Sequence, residues 1–263
     1  MPFTFAHPAA VVPLAHFMGR YAVISALVVG SIVPDIAHIV PIDVARHESH
    51  SLTGIFWFCL PASVLLYVLY HCVLKGPLLG LLPDYALQRL GPYAADFRAL
   101  PQVPWRMVIL SLFCGIVTHI LWDTFTHMEE AGVTLLPFLR ARLFTIGGYT
   151  VYLFKVLQHG SAIAGMLFIG WWCVRWLQRR PVQPVTLPIM LSSSQRVFAL
   201  AAIIGTPALA GLCISLQSVE VNGYVLTLQR FIRQFVLAAL PIFALVLVAF
   251  SIGWHALRLR AAQ

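Results

Sequence analysis

WRMVILSLFCGIVTHILWDTFTH, residues 105–127, is the stretch that decides the fold, and it also raises the question of function. From Trp105 to Phe125 it carries only two charges, Arg106 near one end and Asp123 near the other. At 1.5 Å per residue, a helix of about 20 residues crosses the roughly 30 Å hydrocarbon core of a bilayer. Lipid offers no water to unpaired backbone groups, so a helix is the conformation such a segment takes there.

Four further segments read the same way: Leu52–Leu74, Val151–Leu177, Val197–Leu216 and Phe235–Leu257. A sixth, Tyr21–Val33, is shorter and is closed by Pro34 and Asp35. It reads either as a full span to Val40 broken at Pro34, or as the second arm of a re-entrant hairpin whose first arm is Ala9–His16. The fold class is therefore all-α, a multi-pass transmembrane helical bundle of about five to six membrane-embedded spans with an interrupted or re-entrant first segment. The chain reads as one integral membrane domain over residues 1–263, with a site-bearing half, 1–177, and two scaffold helices within 196–257. Proline- and glycine-bearing stretches at 75–104, 128–148 and 178–196 read as connectors.

Composition agrees with this. Hydrophobic residues make up 60% and charged residues 10% of 263, and the mean hydropathy is +0.87, outside the soluble range of about 25% charge. The net charge of +8 comes from basic residues flanking apolar segments, where anionic headgroups and the positive-inside bias account for them. Membrane lipids, and not nucleic acid, are the partners this implies. Six spans with both ends inside would place eleven Lys or Arg on the inner side and six on the outer, with the ends of the first and third spans facing out. Five cysteines without CxxC spacing read as small buried hydrophobes.

The deciding stretch contains His119-x3-Asp123-x3-His127. Spacing of four puts successive residues about 6 Å apart along one helix face. His119 and His127 would stand about 12 Å apart in a regular helix, too far to share one metal, so Asp123 would share a centre with one histidine or lie between two centres. Imidazole and carboxylate together suit Zn²⁺, with Mn²⁺ and Fe²⁺ as alternatives. The bland alternative is a hydrogen-bonded pair between helices. A second cluster, Asp35, Asp43, His47 and His50, falls at the boundary that the topology assigns to the end of the third span. In it Asp35, His47 and His50 are candidate metal ligands and Asp43 a surface acid. His7 precedes Pro8, which suits the first position of a short helix. Gln158, His159 and Ser161 make a polar break in the fourth span, where His159 would either support the site or simply hydrogen-bond between helices. Glu129 and Glu130 follow the motif as acids near it.

MPFTFAHPAAVVPL (1–14), VVGSIVPDIAHIV (28–40), HESHSLTGIF (47–56), THILWDTFTH (118–127) and KVLQHGS (155–161) together resemble the bacterial membrane family catalogued as domain of unknown function 4184. That family is similar to LexA-regulated membrane-bound predicted metal-dependent hydrolases. More distantly it is similar to the zinc-dependent phospholipase C and P1 nuclease superfamily. The resemblance implies a bacterial cytoplasmic membrane and metal ligation by His7, Asp35, His47 or His50, His119 and Asp123, with His127 following. The soluble enzymes carry a later His-x3-Glu pair, whereas four residues after His159 stands Ile163, so a one- or two-metal site is expected.

The function expected is metal-dependent hydrolysis of a phosphoester or lipid-like substrate, with Asp123, His127 and His50 as catalytic candidates. Arg46, Arg140 and Arg142 are candidates to receive a headgroup phosphate. A proton- or metal-coupled transporter, or a non-enzymatic structural membrane protein, are the rivals.

Overall fold

The computed structural model describes residues 4–40, 42–94, 102–128, 130–146, 149–185, 187, 191–222 and 228–261. A 3₁₀ turn, Thr4–Ala10, leads into α1 (Val11–Met18) and α2 (Ile24–Gly30), and a second 3₁₀ turn, Val33–His38, follows. Then come the short α3 (Arg46–Ser49), the long α4 (Leu52–Gly80) and α5 (Asp84–Ala94). After these run α6 (Trp105–Thr124), the short α7 (Ala131–Leu135), a β-hairpin of β1 (Arg142–Ile146) and β2 (Tyr149–Tyr152), and the long helices α8 (Leu153–Gln178), α9 (Ser193–Asn222) and α10 (Leu228–Ala261). Five of the helices, α4, α6, α8, α9 and α10, are long and apolar enough to cross a membrane.

The first segment is two short helices in contact and not one broken span: Gly19, at φ 53°, turns the chain between α1 and α2. Its α2 arm has no side-chain cap of its own, because Val23 stands at the N-cap. Ser111 of α6 supplies the acceptor instead, 3.0 Å from the Val23 N–H. Helix α4 runs six residues further than the hydropathy pattern indicated. It contains two π turns, Ile55–Cys59 and Tyr70–Leu74, and Pro61 and Pro77 each fall just after one. There a new α segment opens, and the missing N–H of proline costs no interior bond. The connector expected at 128–148 holds α7 and β1, and Val151 and Tyr152 belong to β2 rather than to the helix that follows.

The chain forms two compact units that interleave in sequence, so the site-bearing half is not one continuous stretch. One holds residues 1–35, 44–67 and 102–175, and the other 36–43, 68–101 and 176–263. In the first, α2 lies on α6 at backbone contact. A methyl group on Gly30 would strike the Leu112 carbonyl, and one on Gly115 the Leu27 carbonyl. Leu27, Leu112 and Ile116 fill that seam without exposure. Gly165 of α8 admits the N-terminal 3₁₀ turn, with the Ala6 carbonyl 3.1 Å from where its Cβ would stand.

In the second unit α9 and α10 pack on one another, with Gly211 against Phe235 and Ala239. Trp254 covers Gly76 and Gly80, and His255 donates to the Val73 carbonyl at 2.9 Å. Of the five cysteines only Cys59 is buried, while Cys173 and Cys213 are exposed on α8 and α9, where lipid is the cover.

Candidate metal centre

The close α2–α6 seam brings the end of α2 and its following turn against the last two turns of α6. Ser31 thereby offers its carbonyl to His119 Nδ1 at 2.8 Å, and Asp35 faces His119 Nε2 at 3.7 Å. His7 arrives on the 3₁₀ turn seated at Gly165, and its ring stacks on that of His119 with centroids 3.8 Å apart. His50, just after α3, reaches the same point, its Nε2 lying 3.4 Å from Asp123 Oδ2 and 3.7 Å from Asp35 Oδ1.

His7, Asp35, His50, His119 and Asp123 are all buried. One donor atom from each of His7, Asp35, His119 and Asp123 lies within 4.8 Å of the others. Ligands held about 2.0–2.1 Å from Zn²⁺ stand at most about 4.2 Å apart, so the group is already near that spacing.

The lone pairs point the same way. His119 Nδ1 faces the Ser31 carbonyl, and His50 Nδ1 faces the Arg46 carbonyl at 3.1 Å. A carbonyl only accepts, so His119 Nδ1 carries a proton, as does His50 Nδ1 where it donates to Arg46 and not to the Ser49 hydroxyl 2.9 Å away; in the neutral ring each Nε2 then keeps its lone pair for the carboxylate side. A backbone carbonyl holding the far nitrogen is the usual support of a metal-ligating histidine. His50 Nε2, His119 Nε2, His7 Nδ1 and Asp123 Oδ1 are buried without a hydrogen-bond partner. Such atoms cost about 1–3 kcal/mol each when nothing compensates them, and a cation ligated by this group would satisfy most of them.

Burial, with His119 beside it, pushes the His7 imidazole down to about 3, leaving it neutral and able to ligate. Burial raises the Asp35 carboxyl, but His119 and the Thr4 hydroxyl, which donates to Asp35 Oδ2 at 2.7 Å, outweigh it and hold the group below its usual range.

Arg46 spans the open side. Its guanidinium lies 2.7 Å from Asp123, 3.4 Å from Asp35 and 3.4 Å from Glu130, and its side chain is 31% exposed. Two buried carboxylates, Asp35 and Asp123, and the partly exposed Glu130 thus share one guanidinium, which leaves about −2 across the site and its rim before any imidazole is protonated. One divalent ion matches it.

The remaining candidates fall outside this group. His47 is exposed and takes no part in it, so of the two histidines in HESH the buried one is His50. His127 lies beyond the end of α6, where the regular helix has stopped, with its Nδ1 3.5 Å from Asp123 Oδ1. His159 is exposed, and it is the neighbouring Gln158 that is buried against His127 at 2.7 Å. Asp43 is exposed, and Glu129 lies outside the described residues. Arg140 donates to the Met128 carbonyl and to Thr134 Oγ1, and Arg142 is exposed on β1. Reading by residue type passed over Gln158, although the QHGS break marked its position.

Helices of this length and hydropathy around a buried His/Asp group define the class: a multi-pass helical membrane protein with a candidate metal centre. The chain belongs to the domain of unknown function 4184 family, whose profile matches residues 1–252. No curated protein and no solved structure matches it.

Proposed function

We propose that the protein is a membrane-bound metal-dependent hydrolase acting on a phosphoester or lipid-like substrate. The observation that carries this reading is the convergence of buried, unpartnered imidazole nitrogens on two carboxylates. His7, His50, His119, Asp35 and Asp123 would hold the ion, with Zn²⁺ the best match to the donor set and Mn²⁺ or Fe²⁺ next. A divalent ion there supplies Lewis acidity and makes water acidic enough to serve as a nucleophile near neutral pH. The chain's own part is orientation. Ser31 and the Arg46 carbonyl fix the two imidazoles, Thr4 fixes Asp35, and the walls of α2, α6 and the N-terminal turn exclude water. Arg46, the most exposed member of the group, suits a phosphate on the incoming substrate.

The ion pairs of Arg46 also favour a second reading, in which the group is a metal-free polar network that locks helices together. In it protonated imidazoles would pair with Asp123, which His50 Nε2 and His119 Nε2 approach to 3.4 and 3.5 Å, but His7 Nδ1 stays without a partner. Metal analysis of detergent-purified protein, prepared without chelators, separates the two. Wild type should hold stoichiometric metal, and D123N and H119A, still folded, should hold almost none. Metal-free wild type that added Zn²⁺ or Mn²⁺ does not load would sink the hydrolase reading. A screen of lipids and phosphoesters follows a positive result.

A further inference from the structure

Three polar side chains beside the centre form a chain whose proton positions are fixed from its Lys155 end. Lys155 Nζ lies 2.9 Å from Gln158 Oε1, and Gln158 Nε2 lies 2.7 Å from His127 Nε2. An ammonium only donates, so the Gln158 carbonyl must face Lys155 and its amide NH₂ must face His127. His127 Nε2 is then the acceptor, and the proton of the neutral ring sits on Nδ1. The other end accommodates that proton: His127 Nδ1 has the Thr126 hydroxyl at 3.2 Å, the Asp123 carbonyl at 3.4 Å and Asp123 Oδ1 at 3.5 Å, and all three can accept from it.

We infer that Gln158, oriented by Lys155, holds His127 as the Nδ1–H tautomer, and that His127 thereby acts as a positioning residue for Asp123, neither as a metal ligand nor as a general base. Its Nε2 lone pair is occupied by Gln158. Its Nδ1 lies on the side of Asp123 Oδ1, 3.5 Å away as His7 Nε2 also is, and not on that of Oδ2, which faces His50, His119 and Arg46. The consequence for metal binding rests on the proposed metal centre, whereas the tautomer itself does not. The need for a buried amide at residue 158 of an apolar helix follows directly: Gln158 is 2% exposed, and without this role it would be a costly choice in α8.

The test uses full-length protein in lipid bilayers with ¹⁵N-labelled histidine. The His127 signals are identified by their absence from His127→Ala, and Zn²⁺ affinity is measured by chelator competition. Wild type should show His127 protonated at Nδ1 with or without metal. Gln158→Ala should redistribute that signal between the two tautomers and weaken Zn²⁺ binding about 10–100-fold, the usual effect of losing support behind a ligand. Lys155→Met, which frees the amide to flip, should do the same to a smaller degree. A wild-type His127 protonated at Nε2, or showing a metal-bound pattern, overturns the inference, as does unchanged Zn²⁺ affinity in folded Gln158→Ala. Wild type that binds no Zn²⁺ counts against the metal centre alone, since the tautomer is still read on the metal-free protein.

Discussion

Helices α6 and α10 are both long, apolar and able to span a bilayer, yet they treat polar groups in opposite ways. The buried Ser251 of α10 donates to the Leu247 carbonyl of its own helix at 2.8 Å, and Ser215 of α9 does the same to Gly211. These groups are satisfied locally and ask nothing of a neighbour. The buried His119 and Asp123 of α6 instead look outward to Ser31, Asp35, His50, His7 and Arg46, and still leave atoms unpartnered. Further polar groups of α10 are isolated ones: His255 reaches the Val73 carbonyl, and Trp254 Nε1 and Gln234 Oε1 are buried without a hydrogen-bond partner. A helix that carries clustered ionisable groups against other elements bears a larger cost, which only a bound partner or a function explains.

The sharpest way to break this contrast is Asp123→Ala. It should cost about 3–5 kcal/mol, because Arg46 loses its closest partner and the imidazoles lose their carboxylate; chemical or thermal unfolding in detergent measures it. Next comes Gly115→Val, whose side chain meets the Leu27 carbonyl. Overpacking of about 1–3 kcal/mol is expected, together with loss of metal, since the Ser31 carbonyl is carried away from His119. Retained metal in this variant would show that the seam does not position the site.

His50→Ala should weaken metal binding by at least about 10-fold with a modest effect on stability, while His47→Ala leaves affinity unchanged; the pair is read by chelator competition. The smallest effect belongs to the scaffold: Ser251→Ala should shift stability by no more than about 0.5 kcal/mol. A larger loss there would mean that α10 depends on the hydroxyl for more than its own backbone.

Much of this was legible in the residues. Hydropathy located all five long helices, and the spacing of His119 and Asp123 put both on one face before any tertiary contact was known. Less legible were the places where a local pattern stops. The end of α6 at Thr124 puts His127 in the turn that follows the helix, a boundary the spacing of four does not mark. The span read as Leu52–Leu74 continues to Gly80, because the π turn Tyr70–Leu74 leads into a further α segment that takes Pro77. In the fourth span histidine drew attention as the more ligand-like residue, while the neighbour facing inward was Gln158.

What the sequence by itself determined is what depends on local sums and fixed spacings: the membrane character of the chain, the number of long spans and the His-Asp pair of α6. Only the tertiary structure decided which of His47 and His50 enters the site, that His7 and Asp35 join it, and that Arg46 and Gln158 flank it. Those residues sit on 3₁₀ turns, short helices and a facing helix, and no sequence period encodes how such pieces converge. Their meeting depends on where Gly30, Gly115 and Gly165 let backbones approach.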